Sequence, residues 1–164
     1  MISAEHARLT GLGAKWLKHN GFSVIGTELV CAGSREQPDV IGFRSSCCAI
    51  IEVKVSRADF FADANKPERR QGGLGLYRFY LCPEGLVLPD ELPSGWGLIY
   101  ATGRSTCDIV RPQGNLWLAK IEEPAPGEAL SDWQHSWRAF QHEPDPVAER
   151  SALFSIARRL AQKP

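Results

Sequence analysis

Nine residues, Cys47 to Val55, read CCAIIEVKV and constrain the chain more than any other stretch. Residues two apart in a strand point the same way. One face of this segment carries Cys47, Ala49, Ile51, Val53 and Val55, and the other Cys48, Ile50, Glu52 and Lys54. Both faces begin apolar, which predicts a strand covered on both sides rather than one facing water. An α/β sandwich provides that environment. Glu52 and Lys54 then continue an otherwise buried row, and an unpaired buried charge is costly by several kcal/mol. They need partners or a purpose.

The same interruption recurs nearby. Asp39, Ile41 and Phe43 share one face of a short predicted strand, so Asp39 extends an apolar row at its start. Residues 3–20 have a helical pattern ending at Asn20-Gly21, a natural stop. At 100° per residue, Glu5, Leu9, Leu12 and Trp16 lie within about 60° of one another, so Glu5 falls in line with the apolar stripe and His6 to its side.

Further strands are predicted over 22–31, 76–82, 96–100, 107–111 and 116–121, with a helix opening at Ser56, a good N-cap, and meeting Pro67. Gly72, Gly73 and Gly75 mark a turn before the strand at 76. The order of helix, three strands, helix and further strands fits an α/β fold with a mixed β-sheet flanked by helices. Composition shifts at EEPAPGE, residues 122–128. Residues 1–122 therefore form the expected core, and 123–164 a linker and helical extension packed on it. In that extension Leu130, Trp133, Trp137 and Phe140 recur at helical spacing, with both tryptophans expected in the core. A last helix over 146–161 should bury Leu153, Ile156 and Leu160.

At 164 residues the chain fits one domain able to bury a core without metal or disulfide staples. The five cysteines are odd in number and lack C-x-x-C spacing, so they read as reduced buried thiols. The first ten residues lack the plan of a secretory signal, and no apolar run approaches the roughly 18 residues of a membrane span. The expectation is a soluble cytoplasmic protein. Nineteen basic residues balance nineteen acidic ones, so any phosphate-binding surface is local. Lys66, Arg69 and Arg70 beside Gly72 and Gly73 make the best local candidate for nucleic-acid backbone contacts. None of the four histidines has metal-ligand spacing.

Two carboxylates and a lysine on neighbouring strands, with a third carboxylate on the leading helix, make an oxygen-rich pocket. Mg²⁺ favours such oxygen ligands, taking one or two carboxylates and completing its octahedron with water and phosphate. Pro38-Asp39, twelve residues, then Glu52-Val53-Lys54 resembles the motif of the PD-(D/E)XK, or restriction-endonuclease-like, nucleases. The stretch IIEVKVSRADFFAD is similar to the MmcB-type DNA-repair nucleases, and EVKVS also resembles archaeal Holliday-junction resolvases. Likeness to the MmcB type continues through YRFYLCPEGL and GWGLIYA, so it spans roughly residues 2–112.

This resemblance implies a restriction-endonuclease-like core and a Mg²⁺- or Mn²⁺-dependent deoxyribonuclease acting on DNA in repair, recombination or mobile-element biology. Asp39 and Glu52 would be metal ligands, with the Val53 carbonyl a third. Lys54 would position or polarise the attacking water and offset charge on the scissile phosphate. Beside two carboxylates, an electrostatic role suits it better than a general-base role. Glu5 matches the acid that many members carry on the first helix. A homodimer or a partner protein is compatible with a fold that often cuts two strands with two subunits. The rival expectation is a catalytically inactive nuclease-fold protein that binds DNA or another protein.

Overall fold

The computed structural model describes residues 2–29, 37–67 and 72–163. Its elements run α1 (Ala4–His19), β1 (Val24–Thr27), β2 (Val40–Phe43), β3 (Cys48–Val53), α2 (Arg57–Ala64), β4 (Tyr77–Pro83), β5 (Trp96–Thr102), β6 (Ser105–Val110), α3 (Asp132–Arg138) and α4 (Pro146–Ala161). All six strands form one mixed sheet in chain order. β1, β2 and β3 pair antiparallel, β3–β4 and β4–β5 parallel, and β6 returns antiparallel. The parallel β3–β4 step needs a crossover, and α2 supplies it.

Branched residues explain the central strands. Val40, Ile41, Ile50, Ile51 and Val53 suit the pleated backbone and are almost wholly buried. β3 is buried along its entire length, as its two apolar faces require. On one side α1 lays Leu9, Leu12, Trp16 and Leu17 against Val40, Ala49, Ile51, Phe79 and Leu81. On the other side Phe60 of α2 and Ala148, Ala152 and Ile156 of α4 cover Ile41, Ile50, Tyr80 and Leu98.

Side-chain oxygens cap the helices. Ser3 accepts from the His6 N–H and Ser56 from the Asp59 N–H. Asp145 accepts from Val147 and Ala148, and α4 spans the predicted residues 146–161.

Several expectations are corrected. Residues 116–121 form no sheet strand but cross the α1 side as irregular backbone. Side chains satisfy this backbone instead: Tyr77 donates to the Leu118 carbonyl, Cys47 to that of Trp117, and Gln141 to those of Leu118 and Ala119. Trp117 fills the gap beneath, with its ring 5.2 Å from that of Trp137.

Of the two tail tryptophans only Trp137 is in the core, because α3 is short; Trp133 is 51% exposed. Leu153 and Leu160 are also exposed, since α4 docks through its small residues Ala148, Ala152 and Ser155 with Ile156. A Cβ on Gly26 of β1 would lie 3.0 Å from Ile156, so the glycine permits that close approach. Cys47, Cys48 and Cys82 are buried, but Cys107 is exposed on β6; Cys31 lies outside the described residues. Among the described residues no helix is long and apolar enough to cross a membrane.

Candidate functional site

β2 and β3 bring the sequence-selected charges to one end of the sheet. Val40 pairs with Ile51, and continuing that antiparallel register by one step sets Asp39 opposite Glu52. Directly opposed residues share a face. Pro38, buried, leads the chain into β2, and the Glu28 N–H donates to the Asp39 carbonyl at 3.0 Å, which pins the entry.

The Asp39 carboxylate is held from two sides. Oδ2 accepts from the Val53 N–H at 2.8 Å, and Oδ1 lies 3.1 Å from Nε2 of His6. His6 in turn has Nδ1 3.5 Å from the Thr10 hydroxyl. Burial pushes the Asp39 carboxyl above its ordinary range, while the Val53 N–H, His6 and Lys54 pull it back and Asp59 adds to the rise. Val53 thus enters the site through its N–H; its predicted role was through the carbonyl.

Glu52 and Lys54 lie deeper, each 5% exposed. Lys54 Nζ is 4.0 Å from Glu52 Oε2 and 3.4 Å from Asp63 Oδ1, so the ammonium sits between two carboxylates. Asp63, on the last turn of α2, is 2% exposed and accepts the Tyr80 hydroxyl on Oδ2 at 2.9 Å. Tyr80 is the β4 residue directly across from Glu52. Lys66 Nζ reaches the same Asp63 Oδ1 at 3.1 Å. Lys66, chosen from sequence as a phosphate contact, is therefore tied to the buried cluster. Arg69 and Arg70 lie outside the described residues.

Glu5 is not brought to the cluster. It is exposed and pairs with Arg8 through two hydrogen bonds, 2.7 and 2.8 Å long, which hold its carboxyl below the usual range. The reason lies in the rotation of α1. Its buried stripe includes Thr10, Gly13 and Leu17 as well as Leu9, Leu12 and Trp16, which moves the centre toward His6 and away from Glu5. His6 is the α1 residue that meets Asp39.

Asp63 was legible by the test that exposed Glu52. It lies three residues after the core residue Phe60, so a carboxylate occupies the buried face of α2.

The donor set suits a hard cation. Two carboxylates at one end of the β2–β3 pair match what Mg²⁺ takes while keeping several waters. Among the described residues each carboxylate oxygen of Asp39 meets one polar group, and an ionised carboxylate offers about four lone-pair sites, so acceptor capacity remains. Among the described residues no group of three or more His, Cys, Asp or Glu side chains is arranged to hold a metal.

No protein-family model matches the chain, and no curated protein matches it in sequence. Among solved structures it is similar to the SPO1766 protein of unknown function from Silicibacter pomeroyi, with 21% identity and a TM-score of 0.61. The likeness covers 99% of this chain and 90% of that one, so the shared architecture runs through the helical tail. At that identity it concerns the fold alone.

Proposed function

We propose that this protein is a Mg²⁺- or Mn²⁺-dependent deoxyribonuclease of the restriction-endonuclease-like kind, acting in DNA repair, recombination or mobile-element biology. The observation that carries this reading is that β2 and β3 bring Asp39, Glu52 and Lys54 to one end of the pair, where Asp39 accepts the Val53 N–H and Lys54 lies 4.0 Å from Glu52. Hydrolysis of a phosphodiester needs an activated water and neutralisation of a highly anionic transition state. A bound divalent ion would supply Lewis-acid polarisation and a water of lowered pKa.

The chain's own residues supply the rest. Asp39 and Glu52 would hold the ion. The Val53 N–H and His6 fix the orientation of Asp39 before anything binds, as supporting hydrogen bonds do at metal sites. Lys54 contributes a positive charge already in place, held by Glu52 and Asp63, where negative charge develops on phosphate.

A nicking assay on supercoiled, linear and branched DNA tests the reading, with Lys54→Ala purified in parallel. Cleavage should require Mg²⁺ or Mn²⁺ and fall at least about 100-fold in the variant, the loss typical of removing one preorganised electrostatic group. Equal nicking by wild type and variant would remove Lys54 from the mechanism.

The burial of Glu52 and Lys54 favours a second reading, a nuclease-fold protein whose charges form a structural ion network and which binds DNA or protein without cutting. Calorimetric titration with Mn²⁺ separates the two. Absence of binding at millimolar metal supports the inactive protein.

A further inference from the structure

The partners of Asp63 include Tyr80, Lys54 and Lys66, and their arrangement is unequal. Oδ2 takes the Tyr80 hydroxyl, while Oδ1 is shared by two ammonium groups, Lys54 at 3.4 Å and Lys66 at 3.1 Å. The lysines come from different worlds. The Lys54 side chain is 7% exposed at the end of β3, and that of Lys66 is 56% exposed where α2 ends. Two like charges bracketing one oxygen repel each other, and each weakens the hold of that oxygen on the other. The backbone of Lys66 is fixed by its N–H bond to the Asp63 carbonyl at 3.0 Å, but its long flexible stem can carry the ammonium outward. A nucleic-acid phosphate arriving at this surface competes with Asp63 for Lys66.

We infer that Asp63 is a positioning residue that couples the capture of a substrate phosphate by Lys66 to the placement of the Lys54 ammonium at the reacting centre. This rests on the nuclease reading given above. With no strand bound, Lys54 and Lys66 compete for Asp63. Once phosphate draws Lys66 away, Oδ1 loses one competing cation, its hold on Lys54 tightens and the ammonium is fixed more firmly beside Glu52. Tyr80 keeps the carboxylate from following Lys66 outward. The strand is thus registered at the surface and answered in the buried cluster, through one side chain.

The coupling predicts opposite effects of Asp63→Asn on binding and on turnover. The amide still accepts from Tyr80, so the packing around it is preserved, but the charge is gone. Lys66 is then released from competition, and the dissociation constant for a short DNA duplex, read by fluorescence anisotropy in EDTA, should fall about threefold or more. Lys54 loses the nearer of the two carboxylates that hold it, and kcat with Mg²⁺ or Mn²⁺ should fall about tenfold or more. A defect of folding alone would weaken both. Tyr80→Phe, which keeps the carboxylate and removes its tether, should move both quantities in the same directions by smaller factors. It decides the matter if Asp63→Asn proves unfolded by circular dichroism.

Weaker DNA binding by Asp63→Asn, or a kcat within twofold of wild type in a wild-type protein that cleaves, overturns the coupling and leaves the nuclease reading standing. A wild-type protein that cleaves no DNA with either metal overturns the nuclease reading, and the role of Asp63 with it.

Discussion

Asp39 is an ionisable group kept where burial works against its charge. Its folded carboxyl holds a proton more tightly than an unfolded one near 3.8, so its contribution to stability is present in full below that pH and is lost as pH rises through the folded value. Asp39→Asn retains an acceptor for the Val53 N–H while removing the charge. The variant should therefore melt at a higher Tm than wild type at pH 7, with the gap closing as pH falls toward 3.8. Melts at pH 7, 5 and 3.5 check this, and a lower Tm at pH 7 would mean that the contact with His6 outweighs the burial penalty. Period-2 patterning singled out the strand residues of the candidate site, because Asp39 continues the apolar row of Ile41, and Glu52 and Lys54 that of Ile50. Glu5 and His6 were harder to tell apart. One helical step separates them, and the deciding residues, Thr10 and Gly13, are not strongly apolar and so add little to the stripe that sequence reveals.

At the scale of elements, the sheet is fitted to its covering layers by small residues at chosen points. A Cβ on Gly97 of β5 would meet the ring of Phe79 at 2.3 Å and the Val110 carbonyl at 2.8 Å. Phe79 pairs with Gly97 across the parallel β4–β5 ladder, and its ring occupies the space a side chain would take. Gly97→Ala should destabilise the fold by about 1–3 kcal/mol through overpacking, measured as a lower urea midpoint with unchanged slope. A neutral result would show that both the Phe79 ring and the Val110 backbone can give way. Strands β3, β4 and β5 were readable from β-branched and aromatic runs, and α4 from the helical spacing of Leu153, Ile156 and Leu160. Residues 116–121 looked like a strand because their apolar residues are real core residues. What the pattern could not tell is that Tyr77, Cys47 and Gln141, distant in sequence, would take up backbone hydrogen bonds in place of a neighbouring strand.

The whole molecule is joined by its tail. Trp137 completes the aromatic cluster of Tyr77 and Trp117, the His142 N–H donates to the Leu76 carbonyl, and that of Asp145 to Gly73. His142 also sets Nε2 2.9 Å from the Gly95 carbonyl, and burial, with Arg78 and Lys120 nearby, pushes its pKa down to about 4. A histidine depressed from 6.5 adds stability above that pH and loses it as pH falls toward about 4. Between pH 7 and 5 the loss should be about 2 kcal/mol, at about 1.4 kcal/mol per pH step below the unfolded value. Urea denaturation at the two pH values should show it in wild type and not in His142→Gln, and an equal loss in both would place the acid sensitivity elsewhere. Strand order that follows chain order has a consequence for synthesis. As the chain leaves the ribosome, each strand finds its sheet neighbour already made, so the sheet can assemble from its first edge without waiting. The ring of Tyr77 has no such luck: Trp117 and Trp137, which pack against it, emerge only after the last strand, and until they do a newborn sheet shows that aromatic patch to any other chain nearby.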